Sequence, residues 1–239
     1  MTIILAIETS SELASCALFD SAAGTPVRAR ESAGVRTHSQ SVLPMVQELL
    51  GEAGLALADC DAIAFGAGPG SFTGVRTACG VAQGLAFGAR LPVLPLVTLE
   101  ALAEACRART GATEVLAVLD ARMNEVYWAQ YRWDGAWTAV LAPALSAPEL
   151  VAPLPAEGLA ACGNGFAAYP DAFAGKAFAA AAHADILPHA RDLAVLGAAA
   201  LAAGRALPAD EAQPLYLRNK VAYTSAERQA INAAKAVAP

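Results

Sequence analysis

The run Gly66-Ala67-Gly68-Pro69-Gly70-Ser71-Phe72-Thr73-Gly74-Val75-Arg76 puts four glycines and a proline into eleven residues, and no other segment constrains the fold as strongly. It follows the apolar stretch Ala62-Ile63-Ala64-Phe65, which reads as a strand, and it leads into a helix from Ser71 to about Phe87. Glycine lets the backbone turn where a Cβ would clash. Ser71 is placed to cap the helix, whose first N–H groups lie at its positive end. Two uses fit such a loop: an anion cradle, or a tight turn that lets helix and strand pack closely. No lysine follows the last glycine, so it is not a GxxxxGK[ST] phosphate loop. The glycine spacing also misses the dinucleotide fingerprint.

Around this loop the chain alternates strands and helices. Ile3 to Glu8 and Ser15 to Asp20 read as a hairpin about the polar turn Thr9-Ser10-Ser11-Glu12, and Val27 to Ser32 as a third strand. A helix from about Ser39 to Glu52 carries Val42, Leu43, Val46, Leu49 and Leu50 on one stripe, with Pro44 early enough to be tolerated. After the glycine loop and its helix come a strand from Val93 to Val97 and a helix from Leu99 to Arg109. The second half opens in the same way, with strands at Val115 to Leu119, Glu125 to Tyr131 and Trp137 to Leu141. A final strong helix runs from about Arg191 to Arg205, and the tail after Pro214 has a polar helical end. Two tandem halves, each beginning with a strand meander, predict an α/β protein of two ribonuclease-H-like subdomains, the actin-like ATPase fold. The division falls at residues 1–110 and 111–239, with the last helix packing back on the first subdomain.

Composition narrows the classes. Hydrophobic residues make up 56% of the chain, yet the most apolar stretch, Ala78 to Val97, is interrupted by Gln83 and Arg90, which argues against a membrane span. Ile3 to Ile7 has no basic segment before it and Glu8 ends it, so no signal peptide is expected and the protein reads as cytoplasmic. The five cysteines are scattered and never form CxxC, as expected of small buried apolar residues rather than a disulfide framework or zinc site. A net charge of −6 argues against direct grip on a nucleic-acid backbone.

The candidates for chemistry are few. His38, His183 and His189 are the whole histidine complement, with no HExxH or HxxxH pair, which is too few ligands for a metal centre or a zincin-type peptidase. His38 reads as a polar end-cap, and His183 and His189 as exposed loop. An actin-fold ATPase needs two phosphate-gripping turns and an acid for magnesium. Glu8-Thr9-Ser10 imitates the first turn and Asp120 the start of the second, but Ala121-Arg122-Met123-Asn124 has no glycine for close approach and would crowd a triphosphate. Glu8, Thr9, Ser10 and Asp120 are therefore expected to form at most a weak, vestigial nucleotide site, with no catalytic or metal-ligating residue. An active ATPase or kinase, with Glu8 and Asp120 converging on magnesium, is the alternative.

Four blocks carry a family resemblance: Ile4-Leu5-Ala6-Ile7-Glu8-Thr9-Ser10, Gly66 to Ala86, Asp120 to Tyr127, and Pro214-Leu215-Tyr216-Leu217-Arg218. Together they resemble the bacterial TsaB (YeaZ) family, and they span most of the chain in order. The resemblance implies an actin-like ATPase fold and a dimerization subunit, without catalysis of its own, for the machinery that installs threonylcarbamoyl on tRNA adenosine. It also implies a catalytic paralogue, TsaD, as partner, with TsaE and tRNA joining through the complex, and a homodimer in isolation; no cofactor of this chain's own is expected, and whether ATP or ADP sits at the complex interface is left open. The metal histidines of the paralogue have no counterpart between Leu99 and Arg109. Gly74, Ala78 and Ala82 recur every four residues along the long helix, and Gly80, Gly84 and Gly88 do so on another face. With the resemblance pointing to pairing through the two N-terminal helices, the expected partner face is Leu43, Val46, Leu50, Gly74, Ala78 and Ala82.

Overall fold

The computed structural model describes residues 1–22, 27–32 and 38–218. Five strands form the first sheet: β1 (Ile3–Glu8), β2 (Ala14–Asp20), β3 (Val27–Ser32), β4 (Ala62–Gly68) and β5 (Val93–Val97), in the order β3-β2-β1-β4-β5. The meander β1-β2-β3 is antiparallel, and β4 and β5 add in parallel, with Leu5 opposite Leu18 on one side and Ile63 on the other. Strand alternation sorts the apolar side chains. Ile3, Leu5, Ile7, Ile63 and Phe65 face α1 (His38–Ala53) and α2 (Phe72–Ala89), whereas Ile4, Ala6, Ala62 and Ala64 face the opposite side. Leu5, Ile7 and Phe65 are fully buried, each contributing roughly 2 kcal/mol of transfer free energy.

The second sheet is smaller, with β6 (Glu114–Asp120), β7 (Val126–Trp133), β8 (Trp137–Ser146) and β9 (Ala160–Cys162) in the order β8-β7-β6-β9. The first three are an antiparallel meander and β9 joins β6 in parallel. One face packs on α3 (Thr98–Thr110) through Leu99, Leu102 and Cys106. The other is closed by Val151 and by Phe166 and Phe173 of two one-turn helices, α4 (Gly165–Ala168) and α5 (Pro170–Phe173). All five cysteines are buried and unbridged.

The sequence division at residue 110 does not separate the two cores. Helix α6 (Ala190–Ala202), from the second half, supplies Leu193, Ala194 and Ala200 to the rear face of the first sheet. Gly197 brings it close, since a Cβ there would lie 3.0 Å from both Ala64 Cβ and Ile4 Cγ2. His189 is not a free loop residue: it caps α6, its Nδ1 accepting the Arg191 N–H at 3.0 Å while Nε2 lies 3.2 Å from Glu31. Asp192, one turn in, is buried, and burial followed by the nearby Glu104 carboxylate pushes its own carboxyl up to about 7. Glu104 belongs to α3 and accepts the Trp137 indole N–H at 2.8 Å, so this polar cluster ties α3 and α6 to β8. The polar end expected beyond residue 218 lies outside the described residues. Among the described residues no helix is long and apolar enough to cross a membrane.

Candidate functional site

The glycine loop turns inward. Gly66 lies within β4, where a Cβ would run into the Glu8 carboxylate, and a Cβ on Gly74 would strike the Thr9 carbonyl oxygen. One on Gly70 would come within 2.6 Å of Ser10 Cβ, and one on Gly68, at φ +109°, within 2.9 Å of the Leu215 carbonyl oxygen. Each of the four glycines thus leaves room for a neighbouring segment of the same chain. Ser71 caps α2 through the Gly74 N–H at 3.4 Å, and its own N–H donates to the Ser10 carbonyl at 2.7 Å. Of the two uses the sequence allows, close packing is the one this geometry displays.

The β1–β2 turn is correspondingly closed. Glu8 is buried, its Oε1 accepts the Ser10 N–H at 2.5 Å, and its Oε2 has no partner among the described residues. Burial raises its carboxyl above the ordinary value, a rise only partly offset by the Ser10 and Thr9 hydrogen bonds. Thr9 Oγ1 donates to the Gly74 carbonyl at 2.7 Å. Asp120 stands across the cleft: its Oδ1 accepts the Arg122 N–H at 2.7 Å and the Tyr169 hydroxyl at 3.0 Å, and its Oδ2 pairs with the Arg122 guanidinium at 3.1 Å. The following residues Arg122, Met123 and Asn124 all have left-handed backbone near φ +60°, a conformation that suits asparagine but is costly for the other two. The Glu8 carboxylate lies against Gly66, and Glu8 is not among the residues that line the cleft in which Asp120 stands. Among the described residues no group of three or more histidine, cysteine or acidic side chains converges as a metal site would need.

Between the two sheets lies a cleft of about 740 Å³. Its walls are the turn at Ser10 to Glu12, the start of α2, the turn at Asp120 to Met123, Asn164, and the segment Leu215 to Arg218. That last segment is strapped to both lobes. The Leu215 N–H donates to the Ala67 carbonyl at 2.7 Å, and Arg218 reaches Glu125 and the Arg122 carbonyl. Arg76 is held at the mouth, its Cζ 3.5 Å above the Phe72 ring and its Nε–H donating to the Tyr216 hydroxyl at 2.8 Å. Phe72, Arg76 and Tyr216 lie inside the blocks that carry the family resemblance, but no periodicity signals that they meet.

The expected partner face needs correction. Val46, Leu50, Gly74, Ala78 and Ala82 are consumed by the core beneath α1 and α2; of the six residues only Leu43 is exposed. The open face of α2 is the other small-residue stripe: a Cβ on Gly80, Gly84 or Gly88 would meet nothing within 4 Å, and Phe87 beside them is 82% exposed. Both stripes repeat every four residues, so the period alone cannot say which one the sheet takes.

Comparisons with known proteins bear on this geometry. A family model described as "TsaD: tRNA N6-adenosine threonylcarbamoyltransferase" matches residues 30–237. The tRNA threonylcarbamoyladenosine biosynthesis protein TsaB of Escherichia coli K12 is 42% identical over 92% of this chain and 96% of its own length. Its namesake from Haemophilus influenzae is 39% identical over 92% and 95%. The solved structure of YeaZ from Pseudomonas aeruginosa superposes with a TM-score of 0.84 at 42% identity, covering 91% of this chain and all of that one.

Proposed function

The chain belongs to the TsaB family, an actin-like ATPase fold within the wider TsaD group, and from that premise we propose that it takes part in tRNA threonylcarbamoyladenosine synthesis as a scaffold subunit. In this reading it performs no chemistry. It binds and activates the catalytic subunit TsaD, and TsaE and tRNA join through the complex, with no cofactor of its own. It works in the cytoplasm, and pairs with a second copy of itself when TsaD is absent.

One observation carries the reading: along the exposed stripe Gly80, Gly84 and Gly88, a Cβ would meet none of the described residues within 4 Å. Each interior glycine costs a helix about 1 kcal/mol relative to alanine, a cost that close approach of a second helix would offset. Exposed Phe87 and, on the adjacent α1, Leu43 add the apolar anchors that such an interface needs. The internal use of the glycine loop, the burial of Glu8 and the engagement of Asp120 by Arg122 and Tyr169 support a silent nucleotide site.

The test is reconstitution of tRNA modification from the cognate TsaC, TsaD and TsaE proteins with and without this chain, beside an ATPase assay of the chain alone. Product that requires this chain, with no hydrolysis by the chain alone, is the expected result. Modification without it, or ATP turnover by the isolated chain, would overturn the scaffold reading.

A further inference from the structure

The five buried cysteines are not equivalent. Cys16, Cys60 and Cys79 lie in the core beneath α1 and α2, where Cys16 Sγ is 3.7 Å from the Val42 carbonyl oxygen and Cys79 Sγ 3.7 Å from that of Ala212. Burial, joined at Cys60 by the charges of Asp59 and Asp61, raises all three thiols, Cys16 to about 12 and Cys60 to about 11. Such thiols behave as small apolar side chains and are poor nucleophiles.

Cys106 and Cys162 are different because they meet. Cys106 lies on α3 and Cys162 ends β9, and both belong to the core that joins that helix to the second sheet. Cys162 Sγ is 3.7 Å from the Leu102 carbonyl oxygen, about one helical turn before Cys106, and Cys106 Sγ is 3.9 Å from Thr110 Oγ1. The two thiols are within hydrogen-bonding reach of each other. The hydrogen bond from Cys162, with help from Thr110 and the Arg109 charge, holds the Cys106 thiol below its ordinary value although burial opposes it; burial, followed by Cys106 itself, holds Cys162 well above. One member of the pair is therefore the readier to ionise, and the other stands beside it as a resolving thiol. Both are fully buried, but β9 is three residues long and lies at the edge of its sheet, bonded to β6 on one side and to His183 on the other. Local opening of so short an edge strand costs less than global unfolding and admits a molecule the size of hydrogen peroxide.

We propose that Cys106 and Cys162 form a reversible dithiol–disulfide pair, oxidised by a peroxide, that latches α3 onto β9. When β9 opens, the Cys106 thiolate attacks one peroxide oxygen: an S–O bond forms, the O–O bond breaks, and the departing hydroxide takes up the proton that Cys106 released and leaves as water. The Cys162 sulfur then attacks the Cys106 sulfenic acid. An S–S bond forms, the S–O bond breaks, and the hydroxyl leaves with the Cys162 proton as a second water. The two sulfurs give up two electrons, the peroxide accepts them, and a dithiol reductant reverses the change. The bridge closes a loop that holds β6, β7 and β8. From Cys162 the chain passes through Gly163, where a Cβ would lie 2.1 Å from the Val118 carbonyl oxygen, to Asn164, whose Oδ1 accepts the Asp120 N–H at 3.0 Å. The oxidised latch thus stiffens the second lobe up to the cleft wall, and it does not depend on the scaffold reading.

Treatment of the reduced full chain with millimolar hydrogen peroxide, followed by alkylation and peptide mass mapping under non-reducing conditions, tests it. A bridge between Cys106 and Cys162 within one chain is expected, about 2 Da lighter than the dithiol, with two of the five thiols lost and both recovered in dithiothreitol. Cys106→Ser and Cys162→Ser should each abolish the bridge, whereas Cys79→Ala should leave it in place. The oxidised protein should melt at least about 2 °C above the reduced one, because the cross-link restricts the unfolded chain, and Cys106→Ser should show no such difference. Retention of all five thiols, a bridge to Cys16, Cys60 or Cys79, a bridge between two chains, sulfinic or sulfonic acid in place of a bridge, or equal melting of the two forms would overturn the proposal. Mapping and melting of the unaltered chain decide the matter even where a serine variant fails to fold.

Discussion

The two small-residue stripes of α2 look alike in the chain and behave in opposite ways in the fold. On the inner stripe, Gly74, Ala78 and Ala82 are buried against the sheet and the β1–β2 turn, and the missing side-chain atoms are occupied by neighbours: the Thr9 carbonyl sits where a Gly74 Cβ would be. On the outer stripe, Gly80, Gly84 and Gly88 have open space where a side chain would go. Inner small residues are explained by the monomer, whereas outer ones are a cost that no contact among the described residues offsets. The difference separates residues that build this chain from residues that, in the proposed reading, meet another.

Substitutions can break that contrast, and the largest effect belongs to the inner stripe. Gly74→Val forces a branched side chain into the Thr9 backbone, and a loss of more than about 3 kcal/mol, or failure to fold, is expected in chemical denaturation, because neither backbone can yield cheaply. Gly84→Arg should leave the melting temperature of the isolated chain nearly unchanged while weakening association with TsaD by about 2 kcal/mol or more, roughly thirtyfold, as read by calorimetric titration. Equal damage from both variants would erase the distinction between the stripes.

A pH series probes a region away from both stripes and so serves as their control. Asp192 has its carboxyl raised from 3.8 to about 7, so the folded protein holds a proton there that the unfolded chain releases. Its contribution to stability is therefore complete below pH 3.8, declines as pH rises towards about 7, and is level above that. Asp192→Asn should flatten this part of the profile in thermal melts while leaving TsaD binding intact. The smallest effect sharpens the comparison from the outer side: Gly80→Ala should stabilise the free chain by about 0.5–1 kcal/mol, seen as a modest rise in melting temperature.

Much of the fold was legible because burial on both faces turns strands into apolar runs. Ile3–Glu8 and Val93–Val97 fall where the sequence puts them, and α1, α2 and α3 differ only by residues at their ends. Strand β9 has three residues and α4 and α5 four each, too short to display any period. The partner face was misread because Ala78 and Gly80 belong to stripes of equal period, and only the sheet decides which is covered. The cleft was partly legible through Asp120 and Ser10. Arg76 and Tyr216, 140 positions apart, meet only because the C-terminal strap returns across α2, a contact that no local pattern encodes.

The return of α6 to the first sheet has a consequence for synthesis. When a ribosome has released residues 1–110, the meander and its two parallel strands can be covered on the α1 and α2 side, but the surface bearing Ile4, Ala6, Ala62 and Ala64 still lacks Leu193 and Ala194. The nascent chain must carry that bare apolar surface through roughly ninety further residues, several seconds of elongation or more, before its cover emerges. The first subdomain in order of translation is thus completed almost last, and a stalled or truncated product would present a sticky half-covered sheet rather than a folded half.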